Sequence, residues 1–333
     1  MEVHMKTMKS IIYEKYGGPE VLQLMQSPIP EPGSGELLIK VNSSSVTAAD
    51  WHLRKADPFM VRIANGFFKP KQTVLGQEFA GEVVKVGAGV TNYSAGDKVF
   101  GSTGMKTGAY AEYITVDENS VLGRSPKGID QELLATVPIG AMTAQFFLSQ
   151  GNLKSGSSVL VNGASGSVGS YAVQIAKAAG AHVTGICSTS NVEWVKEIGA
   201  DTVIDYKTTD FTRSNQQYDI IFDTVGNLSF RKVRDHLTDE GHFISTAFNI
   251  GLMFGMMGNA LRKGKKVFTG ITKETKESLE EVTDMIRKGV LRPVIDRSYS
   301  MEEIQEAHRY VESGRKKGNV LLTIHKEGSY ERS

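Results

Sequence analysis

Three glycines spaced by two residues, in Gly163-Ala164-Ser165-Gly166-Ser167-Val168-Gly169, follow the apolar stretch Val159-Leu160-Val161 and lead into a helical pattern ending at Gly180. These residue types suit a phosphate. Glycines let the backbone approach a pyrophosphate closely, and the N-terminus of the following helix faces its negative charge. The spacing differs from the common Gly-x-Gly-x-x-Gly fingerprint, so taken alone the turn reads equally as an ordinary strand–helix connection. Context decides. Apolar strands are predicted at His182–Cys187, Thr202–Asp205, Asp219–Asp223, His242–Thr246 and Lys266–Gly270, with helical stretches such as Val192–Ile198 and Leu228–Leu237 between them. Strands alternating with helices imply a parallel sheet with crossover helices, and in that setting the turn reads as a dinucleotide site.

The end of the second strand points to the kind of nucleotide. It reads Ile186-Cys187-Ser188-Thr189-Ser190-Asn191, with no carboxylate before Glu193. An acidic residue there would bond the ribose 2′-hydroxyl of NADH. Small hydroxyls and an amide leave room for a 2′-phosphate and can donate to it. Tyr206 and Lys207, just after the third strand, supply a ring and a positive charge, although Lys207 also reads as a solvated turn lysine. Cys187, Ser188, Thr189, Asn191, Tyr206 and Lys207 are therefore the candidate adenosine-end residues, and NADPH is the expected cofactor. Cys187 itself reads as a small core residue at a strand end rather than a nucleophile.

The elements that must position these residues divide the chain. Its 333 residues suffice for two domains, and 40% hydrophobic with 23% charged residues describes a globular protein. Net charge is +1 and the only basic cluster, Arg262-Lys263-Gly264-Lys265-Lys266, is short, so nothing argues for nucleic acid. No apolar run is long enough to span a membrane, and the first residues lack the apolar stretch of a signal peptide. The single cysteine excludes an internal disulfide and any Cys₄ or Cys₂His₂ zinc site, and it favours a cytoplasmic location. Before Gln131 the pattern is β-rich, with runs at Leu37–Val46, Thr73–Val86, Asp97–Phe100 and Gly108–Val116 punctuated by glycine and proline. A helix over Met301–Ser313 and a strand over Asn319–Ile324 close the chain.

Several stretches together resemble the medium-chain dehydrogenase/reductase superfamily. They are Tyr16-Gly17-Gly18-Pro19-Glu20-Val21-Leu22, Gly76-Gln77-Glu78-Phe79-Ala80-Gly81-Glu82-Val83, Gly96-Asp97-Lys98-Val99-Phe100-Gly101 and Gly108-Ala109-Tyr110-Ala111-Glu112-Tyr113. Thr143-Ala144, the glycine turn, Gly199-Ala200-Asp201 and Asp205-Tyr206 complete the match, which runs from about Met8 to His325. The pattern is most similar to the quinone oxidoreductase branch. The resemblance implies an α/β protein: a GroES-like β domain over 1–130 and 296–333, and a Rossmann-type, doubly wound parallel-sheet domain over 131–295. It also implies an active site in the cleft between them, and a homodimer.

Departures from the zinc alcohol dehydrogenases of the same superfamily bear on the chemistry. Where those enzymes carry an early cysteine ligand, this chain reads Thr47-Ala48-Ala49-Asp50, and their Gly-His-Glu motif is Gly76-Gln77-Glu78 here. Glutamine is a poor zinc ligand, and a catalytic zinc needs about three ligands from Cys, His or carboxylate. No metal is expected, and Glu78 reads as a structural carboxylate. Hydride transfer without a Lewis acid needs an acceptor that delocalises the incoming electrons, such as a quinone or an α,β-unsaturated carbonyl. The expected partner is thus a small, apolar, conjugated carbonyl or quinone.

The resemblance also implies residue roles. Val46-Thr47-Ala48-Ala49-Asp50-Trp51-His52-Leu53-Arg54 faces the nicotinamide, with Thr47 in contact and His52 as a candidate donor to a substrate oxygen or simply a polar rim residue. Asp50 and Arg54 are expected to pair and shape the loop. Thr143 contacts a phosphate or the nicotinamide ribose, Val225 and Gly226 lie along the adenosine ribose, and Ala247 and Asn319 lie near the cofactor. The apolar segments Pro58–Pro70 and Phe248–Gly258 suit a flat, oily ligand or, equally, burial against each other or a dimer contact. Two other functions compete. An enoyl-thioester reductase of this superfamily would use a tyrosine where Asp57-Pro58-Phe59 stands, and a nucleotide-binding sensor would lack turnover. Gly163-Ala164-Ser165-Gly166-Ser167 does not fit the Gly-x-Ser-x-Gly elbow of a serine hydrolase.

Overall fold

The computed structural model describes residues 6–247, 256 and 264–325. The segment Phe248–Gly258, Met256 excepted, and the start of the basic cluster at Arg262 lie outside them. Two compact units divide the chain. One runs through Ile139 and takes up Thr275–Glu281 and the residues from Ile295 on; the other comprises Gly140–Glu274 and Val282–Val294.

The first unit opens with an antiparallel pair, β1 (Thr7–Ile12) and β2 (Gln23–Pro28). Next come β3 (Glu36–Ser45), helices α1 (Ala48–Lys55) and α2 (Met60–Asn65), β4 (Glu78–Val86), β5 (Lys98–Ser102), β6 (Tyr113–Asp117), β7 (Leu122–Arg124) and the short α3 (Gln131–Leu134). In β3, Leu37, Ile39 and Val41 alternate into a core with Phe79, Val83 and Val99, as the period of two requires. Each such buried side chain contributes about 2 kcal/mol. The strand expected from Thr73 begins only at Glu78. The backbone before it is occupied otherwise: Thr73 O accepts from Tyr13 N, and Leu75 O from Gly108 N and Tyr110 N.

The second unit, which takes in most of α4 (Pro138–Gln150), is built on a parallel sheet. Its strands are β8 (Ser158–Asn162), β9 (His182–Cys187), β10 (Thr202–Asp205), β11 (Tyr218–Asp223), β12 (Leu237–Ser245) and β13 (Lys266–Thr269), in the spatial order β10-β9-β8-β11-β12-β13. This is the 3-2-1-4-5-6 order of a doubly wound dinucleotide-binding sheet. Val159, Leu160 and Val161 are all buried, as are Ile220, Ile221 and Phe222, because both faces of a parallel sheet are covered. The crossovers are α5 (Ser167–Ala178), α6 (Val192–Glu197) and α7 (Phe230–Val233). The helix expected over Leu228–Leu237 is shorter than its pattern. Ser229 caps α7 by accepting from Lys232 N, a 3₁₀ turn spans Arg234–His236, and Leu237 is already in β12, paired with Tyr218.

The chain then forms α8 (Lys276–Arg287) and returns to the first unit as β14 (Ile295–Ser300), α9 (Ile304–Glu312) and β15 (Asn319–Thr323). The β-sheet there has the order β14-β15-β3-β4-β5-β7, with β6 also paired to β3. The helix expected from Met301 starts as a 3₁₀ turn, Met301–Glu303, behind a Ser300–Glu303 capping box.

Candidate cofactor and substrate site

In the second unit, β8 and β11 are adjacent and parallel, with Asn162 opposite Asp223. From β8 the chain continues to β9 on one side; from β11 it continues to β12 on the other. Ligands of open parallel sheets bind at this reversal, beyond the carboxyl ends of the strands. The glycine turn stands there. Gly163 has φ +80°, and a methyl group at residue 169 would meet Gly163 O at 2.1 Å. The fold itself therefore demands glycine at both positions. Gly166 differs. Its φ is −83°, and among the described residues the only atom a methyl group would meet within 4 Å is Gly163 O, at 3.4 Å. Open space lies over it at the N-terminus of a 12-residue helix whose N-cap has no side chain to close it. That cradle fits a pyrophosphate.

Asp223, fully buried, holds the neighbouring turn. Its Oδ1 accepts from Asn162 Nδ2 at 2.8 Å, Val225 N at 3.1 Å and Gly226 N at 3.0 Å; its Oδ2 accepts from Leu228 N at 3.0 Å. Gly226 lies against Ala247, whose N–H donates to Ser245 Oγ at 3.3 Å. Val225, Gly226, Ala247 and the glycine turn are thereby brought together. Thr143 is buried on α4, its hydroxyl accepting from Thr272 at 3.1 Å. Gly140 lets α4 close on α5, since a methyl group there would meet Ser167 Oγ at 2.7 Å. Asp223 and Gly140 were missed by motif reading. A carboxylate inside an apolar strand run, three residues before a glycine, was the available signal for the first.

At the end of β9 the structure adds a carboxylate. β10 ends with Asp205 in register with Cys187. Asp205 Oδ2 accepts from the Thr189 hydroxyl at 2.6 Å, and Oδ1 from Lys207 N at 2.9 Å. The Thr189 hydroxyl and then the Lys207 amide hold its carboxyl below the usual range. The Thr189 hydroxyl therefore points to Asp205 in this structure. Ser188 Oγ lies 3.4 Å from Ser190 Oγ, and Ser190 donates to the buried Asn191. Tyr206 is exposed with its N–H on Cys187 O, and the Lys207 side chain is exposed. Burial, then Asp205, pushes the Cys187 thiol up to about 11, so it stays protonated and inert.

In the first unit, Thr47 is the N-cap of α1 and forms a capping box with Asp50. Asp50 Oδ2 accepts from Thr47 N at 2.8 Å and from the Thr47 hydroxyl at 2.7 Å; Oδ1 accepts from Gly76 N at 3.1 Å. Burial raises the Asp50 carboxyl, and the Thr47 and Gly76 bonds oppose that rise. The expected Asp50–Arg54 pair is not made. Asp50 is filled by those donors, and the fully buried Arg54 donates instead to Glu312 on α9 at 2.6 Å. His52 stacks on Trp51 and its Nδ1 lies 2.5 Å from Asp57 O. A carbonyl only accepts, so Nδ1 carries the proton and the neutral ring has a bare Nε2. His52 can donate to a substrate oxygen only when doubly protonated.

Val46 N donates to Val320 O at 2.9 Å, which sets the Thr47 end of β3 beside Asn319 at the start of β15. Glu78 accepts from the Ser45 hydroxyl and from Ile139 N. Nearby, Lys316 Nζ donates to Gly318 O at 2.7 Å; burial lowers Lys316 to about 8 against the pull of Glu78 and Asp296. Gln77 Nε2 donates to Gly104 O at 3.1 Å. Among the described residues, no group of three or more His, Cys, Asp or Glu could hold a metal ion.

Comparison with known proteins accounts for both halves. The alcohol dehydrogenase GroES-like domain matches residues 33–126, and the zinc-binding dehydrogenase domain matches residues 198–322. The chloroplastic quinone-oxidoreductase QR1 of Triphysaria versicolor is 33% identical over 95% of this chain and 98% of its own. The chain belongs to the quinone oxidoreductase family. It is an oxidoreductase of the medium-chain dehydrogenase/reductase superfamily, as the sequence resemblance implied. The quinone oxidoreductase from Coxiella burnetii superposes with a TM-score of 0.87 at 28% identity, covering 96% of this chain and 100% of that one. The mitochondrial NAD(P)H oxidoreductase RTN4IP1 of Danio rerio is 29% identical over 95% of this chain and 91% of its own. The Rossmann-type sheet and these relatives support a nicotinamide nucleotide as the family's cofactor here.

Proposed function

We propose that this quinone oxidoreductase family member reduces quinones or α,β-unsaturated carbonyl compounds with NADPH, without zinc. The observation that carries the nucleotide half is Gly166, half-buried with room for a methyl group at the N-terminus of α5, where the described residues do not demand glycine. When bound, the nicotinamide supplies the hydride. The residues of the chain bind and orient. The α5 N-terminus takes the pyrophosphate, Val225 and Gly226 border the adenosine ribose on the turn that Asp223 holds, and Thr143 takes a phosphate or the nicotinamide ribose. Lys207 and Tyr206 support NADPH by supplying a cation and a ring beside Ser188; Asp205 works against it, its charge partly screened by Lys207. Thr47 commits its proton to Asp50 and keeps its oxygen as an acceptor for the nicotinamide end.

The donor set favours chemistry without a metal. In the two stretches where zinc enzymes of the superfamily carry ligands, Thr47-Ala48-Ala49-Asp50 offers as its carboxylate only Asp50, which is filled by Thr47 and Gly76, and Gln77 is an amide, a poor zinc ligand, that donates through Nε2 to Gly104 O. A conjugated acceptor fits that arrangement, because it stabilises the incoming charge itself. The named relatives support a quinone. A homodimer rests on the family resemblance, and a cytoplasmic location on the single cysteine. Calorimetric titration tests the nucleotide half: NADPH should bind more tightly than NADH, and Gly166→Asp should abolish both. Equal affinities for the two cofactors would overturn the NADPH assignment.

A further inference from the structure

The segment between α1 and β4 displays apolar side chains instead of burying them. Phe59, Phe67 and Phe68 are 59%, 53% and 87% exposed, and Met60 and Ile63 on α2 are exposed beside them. The rings form one patch: Phe59 and Phe67 meet edge-on at 5.7 Å, and Phe67 and Phe68 at 5.1 Å. The three phenylalanines alone present roughly 400 Å² to solvent, already at the upper end of what soluble monomers leave exposed without a use.

The mount beneath the patch is fixed. Tyr16 OH donates to Gly66 O at 2.7 Å, and the Arg62 guanidinium lies 4.7 Å from the Tyr16 ring centre. Asn65 Nδ2 donates to Tyr13 OH at 3.1 Å, and Val61 packs into the core. The opposite face of α2 therefore provides the anchor, and the aromatic side is held outward. Charge selects what can cover it. Between Trp51 and Gln72 the only acidic residue is Asp57; of the basic residues there, Arg54 and Lys55 are paired with Glu312, which leaves Arg62, Lys69 and Lys71 beside the patch. Lys69 and Lys71 are exposed and make no ion pair among the described residues.

We infer that this patch is a docking surface for a lipid bilayer carrying anionic headgroups. Phenylalanines seat at the headgroup–acyl boundary, and adjacent lysines are drawn to anionic lipid. Apolar insertion and lysine attraction supply the two signals that a reversible membrane contact needs. The inference does not depend on the quinone reading, since binding to a bilayer requires no turnover.

Flotation of the full chain with vesicles of phosphatidylcholine, with and without phosphatidylserine, tests it. The bound fraction should rise with phosphatidylserine and fall with added salt. Phe59→Ser, Phe67→Ser and Phe68→Ser combined should weaken binding at least tenfold, with NADPH affinity and melting temperature unchanged as proof of folding. Lys69→Glu with Lys71→Glu should remove the dependence on phosphatidylserine. Parent-like vesicle binding by the triple serine variant would overturn the inference. So would absence of any phosphatidylserine dependence in the parent. Loss of a dimer in the serine variant, seen by sedimentation, would assign the patch to a second copy of the chain and would equally overturn it.

Discussion

A single carboxylate oxygen, Asp50 Oδ2, accepts both the backbone N–H and the hydroxyl of Thr47, at 2.8 and 2.7 Å. With Gly76 N on the other oxygen, Asp50 ties the start of α1 to the backbone ahead of β4 from a fully buried position. Asp50→Ala should cost about 3 kcal/mol of stability, because it leaves buried donors unpaired. Urea unfolding would measure it. Asp50→Asn should cost less, since one amide oxygen can still accept. A neutral result for Asp50→Ala would remove the carboxylate from its positioning role.

Gly166 and Gly169 separate what the fold demands from what the nucleotide demands. Gly166→Ala should leave the melting temperature within experimental error and weaken NADPH binding at least tenfold. Gly169→Ala should itself destabilise by about 2–3 kcal/mol, because its methyl group would overlap Gly163 O. Paired thermal melts and NADPH titrations check both. If Gly166→Ala binds NADPH normally, the cradle is not the pyrophosphate site.

Much of this was legible in the chain, and the failures have physical causes. The parallel-sheet strands were legible because burial on both faces makes them continuously apolar, as in Val159-Leu160-Val161. The glycine turn was legible because steric demand leaves no other residue at 163 and 169. Long-range polar partners were not. Arg54 finds Glu312 far away in sequence rather than the nearby Asp50, and Thr189 finds Asp205 on the neighbouring strand. Spacing along one segment carries no record of which strand lies beside it. The Leu228–Leu237 pattern was overridden when Leu237 was needed opposite Tyr218 in the sheet.

Lys207→Ala should weaken NADPH more than NADH, because a 2′-phosphate is the group that a cation there would meet. Dissociation constants for both cofactors, measured on both proteins, settle the point. Equal loss would count against a 2′-phosphate role. Asp205→Asn should shift the ratio further toward NADPH by removing the opposing charge.

His308 is buried against Tyr110 with neither ring nitrogen bonded to a described residue, and burial beside Arg54 lowers it from 6.5 to about 3. The folded state keeps it neutral while the unfolded chain protonates below 6.5. Its stabilisation is therefore complete above about pH 6.5 and is lost as pH falls toward 3, amounting to about 3 kcal/mol by pH 4. His308→Phe should flatten that acid limb in unfolding experiments across this range. An unchanged pH dependence would show that His308 is protonated in the fold.

If His52 donates to the substrate, His52→Phe should lower kcat/KM for a quinone at least tenfold while leaving NADPH affinity unchanged. Parent-like kcat/KM in that variant would leave His52 as a rim residue.

The most direct test of the central claim is consumption of NADPH by the chelator-treated protein, with a panel of quinones and enones. The account predicts chelator-resistant turnover, faster with NADPH than with NADH, and lost in Gly166→Asp. Turnover that stops on chelation and returns with added zinc would contradict it, as would tight NADPH binding without reduction of any acceptor.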